Sequence, residues 1–196
     1  MLEGDADAPE KYDIYLGKKT IRAFVHPVLK DLGVRQVGLG QQFSKTRWSP
    51  PDMSHVKINT DGATLGQQQN FGMGVVAHDH AGNVVAAMAC KGQRAVATEI
   101  VEACSLHKAL QWARGLSFDR IILESNCANI VTAMQNDSPS MHSTLGLIIF
   151  DSKMLMTSFL SCRFQHIRRE GNSVAHELAK RAIQAEADEL LIYLSL

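Results

Sequence analysis

From Val56 onward the apolar residues sort into three consecutive strand-like runs and then into alternating helical and extended segments. That order restricts the fold more than any other feature of the chain. Val56-Lys57-Ile58-Asn59-Thr60-Asp61 alternates apolar and polar side chains, the period of a half-buried strand, and Gly62 is expected to end it. Phe71 to His78 and Val84 to Cys90 are apolar runs joined by Asp79-His80-Ala81-Gly82-Asn83, a turn-rich link that predicts a hairpin. Ala103, Leu106, Ala109, Leu110 and Ala113 recur at three- and four-residue spacing and predict a helix from Thr98 to about Arg114. A short strand over Arg120 to Glu124 follows, then helices from about Cys127 to Gln135 and from about Thr144 to Leu160. Cys162 to Ile167 reads as a strand. Ser173 to Ala187 reads as a last helix, opened by the turn and cap residues Gly171-Asn172-Ser173. Hairpin strands followed by alternating helix and strand predict an α/β fold, a five-stranded mixed sheet with helices packed on it.

The chain ahead of this pattern is different. Up to His55 it mixes eight Lys/Arg with seven Asp/Glu without sustained period, and it closes on Trp48-Ser49-Pro50-Pro51. Adjacent prolines disfavour helix and remove amide donors from a strand. Residues 1–54 are therefore expected to be a linker or remnant segment, partly disordered, with a short helix near Ile21 to Leu32. Residues 55–187 form the domain and 188–196 a C-terminal tail. The Gln67-Gln68-Gln69 stretch reads as a solvated turn.

Over 196 residues twenty Lys/Arg balance twenty Asp/Glu, which excludes a global electrostatic pull on nucleic acid or membrane; any basic surface must be local. The four cysteines, at 90, 104, 127 and 162, show neither C-x-x-C pairing nor tight His/Cys spacing, which argues against a zinc knuckle. No apolar run reaches the about 18 residues of a membrane span, and the acidic start Met1-Leu2-Glu3-Gly4-Asp5 lacks a secretory h-region. A soluble intracellular chain, nuclear or cytoplasmic and not secreted, is expected. The sequence carries no signal for an oligomeric state.

Three acidic residues stand out. Asp61 closes the first strand beside Gly62, where a turn-forming role is the plain alternative. At 100° per residue, Glu99 and Glu102 fall on or beside the apolar stripe that contains Leu106 and Ala113. A carboxylate on a core-facing stripe is costly unless it is paired or bound to a metal. Helix-start chemistry, with Thr98 as cap and early acids favoured by the dipole, accounts for Glu99 better than for Glu102.

Five stretches in this order carry a resemblance. They are Lys57-Ile58-Asn59-Thr60-Asp61-Gly62-Ala63, the hairpin with Gly72-Met73-Gly74-Val75-Val76, and Glu102-Ala103-Cys104-Ser105-Leu106-His107-Lys108-Ala109-Leu110. Ile122-Leu123-Glu124-Ser125-Asn126 and the run from His166 through Asn172 and His176 to Lys180 complete them. From about Val56 to Ala187 the chain resembles the ribonuclease H type 1 fold, in the plant retroelement-derived, reverse-transcriptase-like branch. The resemblance implies binding of RNA–DNA hybrid, or of RNA, and endonucleolytic hydrolysis of the RNA strand with Mg²⁺ or Mn²⁺. Four carboxylates then converge on two ions roughly 3.5–4 Å apart, because Mg²⁺ is hard and prefers oxygen ligands.

Carried over by residue, Asp61 matches the first carboxylate and Glu102 the second, and these are the implied metal ligands. The third position holds Asn126 in place of Asp, and the fourth holds His176 in place of Asp. Asn keeps an oxygen but loses the charge, and neutral imidazole is a poorer Mg²⁺ ligand than carboxylate. Hydrolysis is therefore expected to be weakened, with a catalytically inactive nucleic-acid-binding or protein-interaction module as the alternative. His166 matches a histidine that assists proton transfer or product release, a task suited to imidazole. Asn172 matches a residue contacting the nucleic-acid backbone, and Gly62 accompanies Asp61 in the same contact region.

His78-Asp79-His80 admits a metal reading, although a polar hairpin turn is simpler. Arg163, Arg168, Arg169, Lys180 and Arg181 form either a local phosphate-facing surface or an ordinary solvated face. Trp112 is expected to pack in or at the edge of the core. Leu190-Leu191-Ile192-Tyr193-Leu194 is apolar enough to pack back or to meet a partner.

Overall fold

The computed structural model describes residues 11–16, 19–24, 48–65, 70–93, 97–136, 142–185 and 193–194. Near the N-terminus, β1 (Lys11–Leu16) and β2 (Lys19–Phe24) form a two-stranded antiparallel sheet of their own. The helix expected near Ile21 is thus a strand as far as Phe24, and the rest of that expectation lies outside the described residues. Ile14 opposes Ile21 and Tyr15 opposes Thr20, β-branched and aromatic residues that suit a ladder.

The main sheet runs β7-β6-β3-β4-β5-β8. The strands β3 (Val56–Thr64), β4 (Asn70–His78) and β5 (Val84–Gln93) form an antiparallel meander. On the other side of β3, β6 (Arg120–Ser125) and β7 (Ser161–His166) are added in parallel. The five expected strands are present, and a sixth, β8 (Tyr193–Leu194), pairs antiparallel with Ala86 and Ala87 of β5. This part of the C-terminal tail therefore covers a sheet edge that would otherwise present unpaired backbone groups.

Alternate residues of β4 and β5 serve two cores. Ile58, Val75 and Met88 face α1 (Thr98–Gly115), α2 (Ala128–Gln135) and α3 (Thr144–Met156), packing with Leu106, Leu110, Ile130 and Ile149. Val76, Ala87 and Ala89 face α4 (Ser173–Gln184), packing with Ala175, Leu178 and Ala182. Trp112 is buried in the first core, as expected. The approach of α4 to β4 depends on glycine. A Cβ at Gly74 would lie 2.1 Å from the Ala175 carbonyl oxygen, and one at Gly72 would lie 1.9 Å from that of Ala179.

Two strand expectations change. Gly62 does not end β3, which continues to Thr64 and pairs Gly62 with Met73. Nor is β3 half-buried: Lys57, Asn59 and Asp61 are 5%, 2% and 2% exposed. They lie on the α4 side of the sheet, where Trp48 and Ser49 cover Asn59 and Lys57. Trp48 Nε1 donates to Asn59 Oδ1 at 3.0 Å, and Lys57 Nζ donates to the Ser49 carbonyl at 2.7 Å. Beneath this strap Lys57 pairs with Glu124 at 3.0 Å. Glu124 also accepts from Asn59 Nδ2 at 3.0 Å and Gln165 Nε2 at 2.7 Å. A buried ion pair survives only when its remaining lone pairs are filled in this way.

Helix α3 stops at Met156, short of Leu160; the Thr157, Ser158 and Phe159 amides then bond three residues back, and the Thr157 and Ser158 hydroxyls donate to the Met154 and Leu155 carbonyls. The last helix likewise ends at Gln184. Among the described residues no helix is long and apolar enough to cross a membrane.

Candidate functional site

Asp61 sits inside β3 rather than at its end, and α1 comes down on the strand beside it. A Cβ on Gly62 would be 2.8 Å from the Glu102 amide nitrogen, so only glycine lets the helix approach this closely. The same contact delivers Glu102: its Oε2 accepts from the Gly62 amide at 3.0 Å. One turn further, Ser105 Oγ donates to the Asp61 carbonyl at 2.8 Å and shares a 2.6 Å hydrogen bond with Thr60 Oγ1. Gly62, expected at the nucleic-acid contact, thus has a packing role that places both carboxylates. Glu99 is exposed and accepts from Asn129 Nδ2, away from the site. Thr98 is not the cap of α1; the N-cap is Ala97, without a side-chain bond, and the Thr98 hydroxyl pairs with Thr64 at 3.1 Å.

His176 enters from the first turn of α4. Its Nδ1 lies 2.7 Å from Asp61 Oδ2, and Arg169 Nη2 lies 3.1 Å from its Nε2. A guanidinium only donates, so Nε2 must carry the lone pair and Nδ1 the proton that goes to Asp61. Asn126 follows β6 directly, and its Oδ1 accepts from Asn172 Nδ2 at 2.6 Å. Asn172 also donates to the Thr60 carbonyl at 3.0 Å. Asn172, expected at the nucleic-acid backbone, is 1% exposed here. It ties the 3-10 turn Arg169–Asn172 to β3 and to Asn126, while its Oδ1 is buried without a partner.

Asp61, Glu102, Asn126 and His176 therefore meet at one open cleft of 620 Å³, bordered by Arg169 and Lys180. Burial pushes the Asp61 carboxyl up, opposed by the His176 hydrogen bond and the charges of Arg169 and Lys180. Burial, reinforced by the Asp61 charge, pushes Glu102 up to about 8 against the opposing Gly62 amide.

His166 is not brought into this arrangement. It is exposed at the end of β7, opposite Ser125 in the ladder, and does not line the cleft. The basic group divides. Arg169 and Lys180 reach the cleft, whereas Arg163 pairs with Asp52 at 3.3 Å and Arg181 with Glu177 at 3.2 Å. Lys180 lies four residues after His176, so helical spacing alone places both on one side of α4. No sequence signal marked Trp48 or Ser105. Of His78-Asp79-His80, His78 closes β4 and packs against Trp48, and Asp79 opens the turn, its Oδ1 accepting from the Ala81 and Asn83 amides at 2.9 and 2.8 Å.

The donor set does not fit a two-ion centre. His176 spends its proton on Asp61 and its lone pair on Arg169, and Asn126 Oδ1, which is uncharged, already accepts from Asn172. Two carboxylates remain to balance two divalent charges. Among the described residues no group of three or more His, Cys, Asp or Glu is placed to hold a metal ion.

A family model described as reverse transcriptase-like matches residues 59–182. Among solved structures, RNase H1 from the halophilic archaeon Halobacterium salinarum NRC-1 is similar at 25% identity, covering 66% of this chain and 98% of its own, with a TM-score of 0.62. LC11-RNase H1, isolated from compost and solved in complex with an RNA/DNA hybrid, is 26% identical over 66% of this chain and 96% of its own, with a TM-score of 0.59. The N-terminal RNase H domain of Rv2228c from Mycobacterium tuberculosis shares the fold at 22% identity and a TM-score of 0.60, over 66% of this chain and 94% of that one. No curated protein matches the sequence. With the sheet order, the helices on both faces and a family match over residues 59–182, the chain belongs to the reverse transcriptase-like family and has the ribonuclease H-like fold.

Proposed function

We propose that this chain binds RNA–DNA hybrid in the cleft of Asp61 and Glu102, and that hydrolysis of the RNA strand is weakened by Asn126 and His176. The carrying observation is the 2.7 Å contact between His176 Nδ1 and Asp61 Oδ2, which occupies the carboxylate where the family resemblance implies a metal ligand. Arg169 and Lys180 on the rim supply the local positive charge that a phosphate backbone needs. Recognition rests on backbone shape and 2′-hydroxyls rather than base sequence. The similarity to LC11-RNase H1, itself solved with a hybrid, supports the ligand class.

Each missing carboxylate removes an ion contact, a loss of several kcal/mol at reduced dielectric. Mg²⁺ or Mn²⁺ would have to bind through Asp61 and Glu102. Proton transfer by His166 requires that residue to reach the cleft from the end of β7. The plant retroelement-derived branch and an intracellular, nuclear or cytoplasmic setting belong to the same reading. A second reading, an inactive module that only binds, is favoured by His176, whose Nδ1 proton and Nε2 lone pair are both used within the protein.

Cleavage of a labelled hybrid with Mg²⁺ and with Mn²⁺ tests this. The Asn126→Asp/His176→Asp double variant is expected to cut at least about 100-fold faster than the wild-type chain, an effect of roughly 2.7 kcal/mol. Cleavage gained by the double variant is expected to disappear when Asp61→Asn is added. A wild-type rate equal to that of the double variant overturns the weakening. Absence of hybrid binding overturns the function.

A further inference from the structure

The cleft carries its own counter-charge, and this bears on how the proposed ligand is held; the inference rests on the nucleic-acid reading above. Asp61 Oδ2, His176 and Arg169 form one chain of hydrogen bonds, 2.7 Å and then 3.1 Å, that leads from a buried carboxylate to an exposed guanidinium. Because the guanidinium can only donate, the imidazole is fixed as the Nδ1–H tautomer and has no lone pair left for a cation. Arg169 stands on an anchored 3-10 turn. Asn172 anchors the turn to Thr60 and Asn126, and Gly171 packs against Ile167 and Trp48. Lys180, exposed and four residues beyond His176, lines the same cleft. Asp61 and Glu102 are 2% and 9% exposed, so a polyanion crossing the rim meets two exposed cations before it meets either carboxylate.

We infer that the Asp61–His176–Arg169 chain takes the place of divalent ions in this cleft, and that Arg169 and Lys180 hold the sugar-phosphate backbone without a metal. Arg169 has two roles in this arrangement: one guanidinium edge orients His176, and the remaining donors face the ligand. Divalent ions accordingly have no folded-state site to stabilise, and chelation leaves the ligand in place.

Two measurements on the full chain test this separately. In thermal unfolding, millimolar Mg²⁺ or Mn²⁺ should leave the melting temperature of the wild-type protein where EDTA puts it. The Asn126→Asp/His176→Asp double variant should gain a metal-dependent rise, as native-state binding requires by mass action. In fluorescence anisotropy with a labelled RNA–DNA hybrid, wild-type affinity should agree within about twofold between EDTA and Mg²⁺, and Arg169→Ala or Lys180→Ala should each weaken it roughly tenfold. A metal-dependent rise in the wild-type melting temperature, or binding that appears only with Mg²⁺, overturns the inference and leaves the nucleic-acid reading standing. No binding in either buffer, with the wild-type melting temperature flat, overturns the nucleic-acid reading together with the backbone contact.

Discussion

His78 is a titratable group held in an apolar place, packed against Trp48 with ring centroids 4.6 Å apart and with Nδ1 buried and unbonded. Burial, the largest cause, lowers its pKa from the ordinary 6.5 to about 4; Lys57 adds to this and Asp79 opposes it. The folded protein thus keeps His78 neutral where the unfolded chain takes up a proton, so stability is intact above pH 6.5 and is lost as pH falls towards 4. The loss amounts to roughly 3 kcal/mol at most. Urea midpoints measured across this window should fall in the wild-type protein and fall less in His78→Phe; parallel curves would assign the acid sensitivity elsewhere. The residue scale also shows what local pattern hides. His78 and Asp79 read as a metal pair or a turn from the sequence, and only the fold buried one and turned the other outward. Asn172 was visible as a residue of interest, but its burial depended on where β3 and β6 lie.

At the scale of elements, α4 is held by how closely it approaches β4. A side chain on Gly74 would meet the Ala175 carbonyl and the Ala179 amide, both backbone atoms of a helix that cannot yield locally. Gly74→Ala should therefore lift α4, cost at least about 3 kcal/mol in chemical denaturation, and separate His176 from Asp61, with loss of hybrid binding. An unchanged denaturation midpoint would show that the helix shifts at no cost. Most elements were legible because apolar periodicity is a local property: the β4–β5 hairpin, α1, β6 and α2 lie within a few residues of their expected bounds. Where reading failed, a local sign had a non-local answer. Gly62 signals a stop in isolation but continues a ladder when Met73 pairs with it and α1 needs the space. Apolar residues after Met156 suggested more helix, while the amides there bond three residues back instead.

Across the whole molecule, formal charge is balanced, so attraction to a polyanion must come from a local basic surface, proposed here to be the rim of the cleft. With Arg169 and Lys180 as the two cations, the logarithm of hybrid affinity should fall against that of salt with a slope of about −2, since each phosphate contact contributes about −0.9. A much steeper slope would require a further basic surface, and a flat one would remove the phosphate contact. The sequence by itself determined the order of strands and helices and the residue types that carry chemistry, Asn126 and His176 among them, because these follow from identity and local period. Only the tertiary structure decided that β3 is covered on both faces, that residues 48–51 form a strap over Lys57 and Asn59, and that His176 spends both ring nitrogens within the protein. Asp61 and His176 are separated by 115 positions in the chain. Their contact is produced by the packing of α4 against the sheet, and no periodicity along the chain encodes a distance across it.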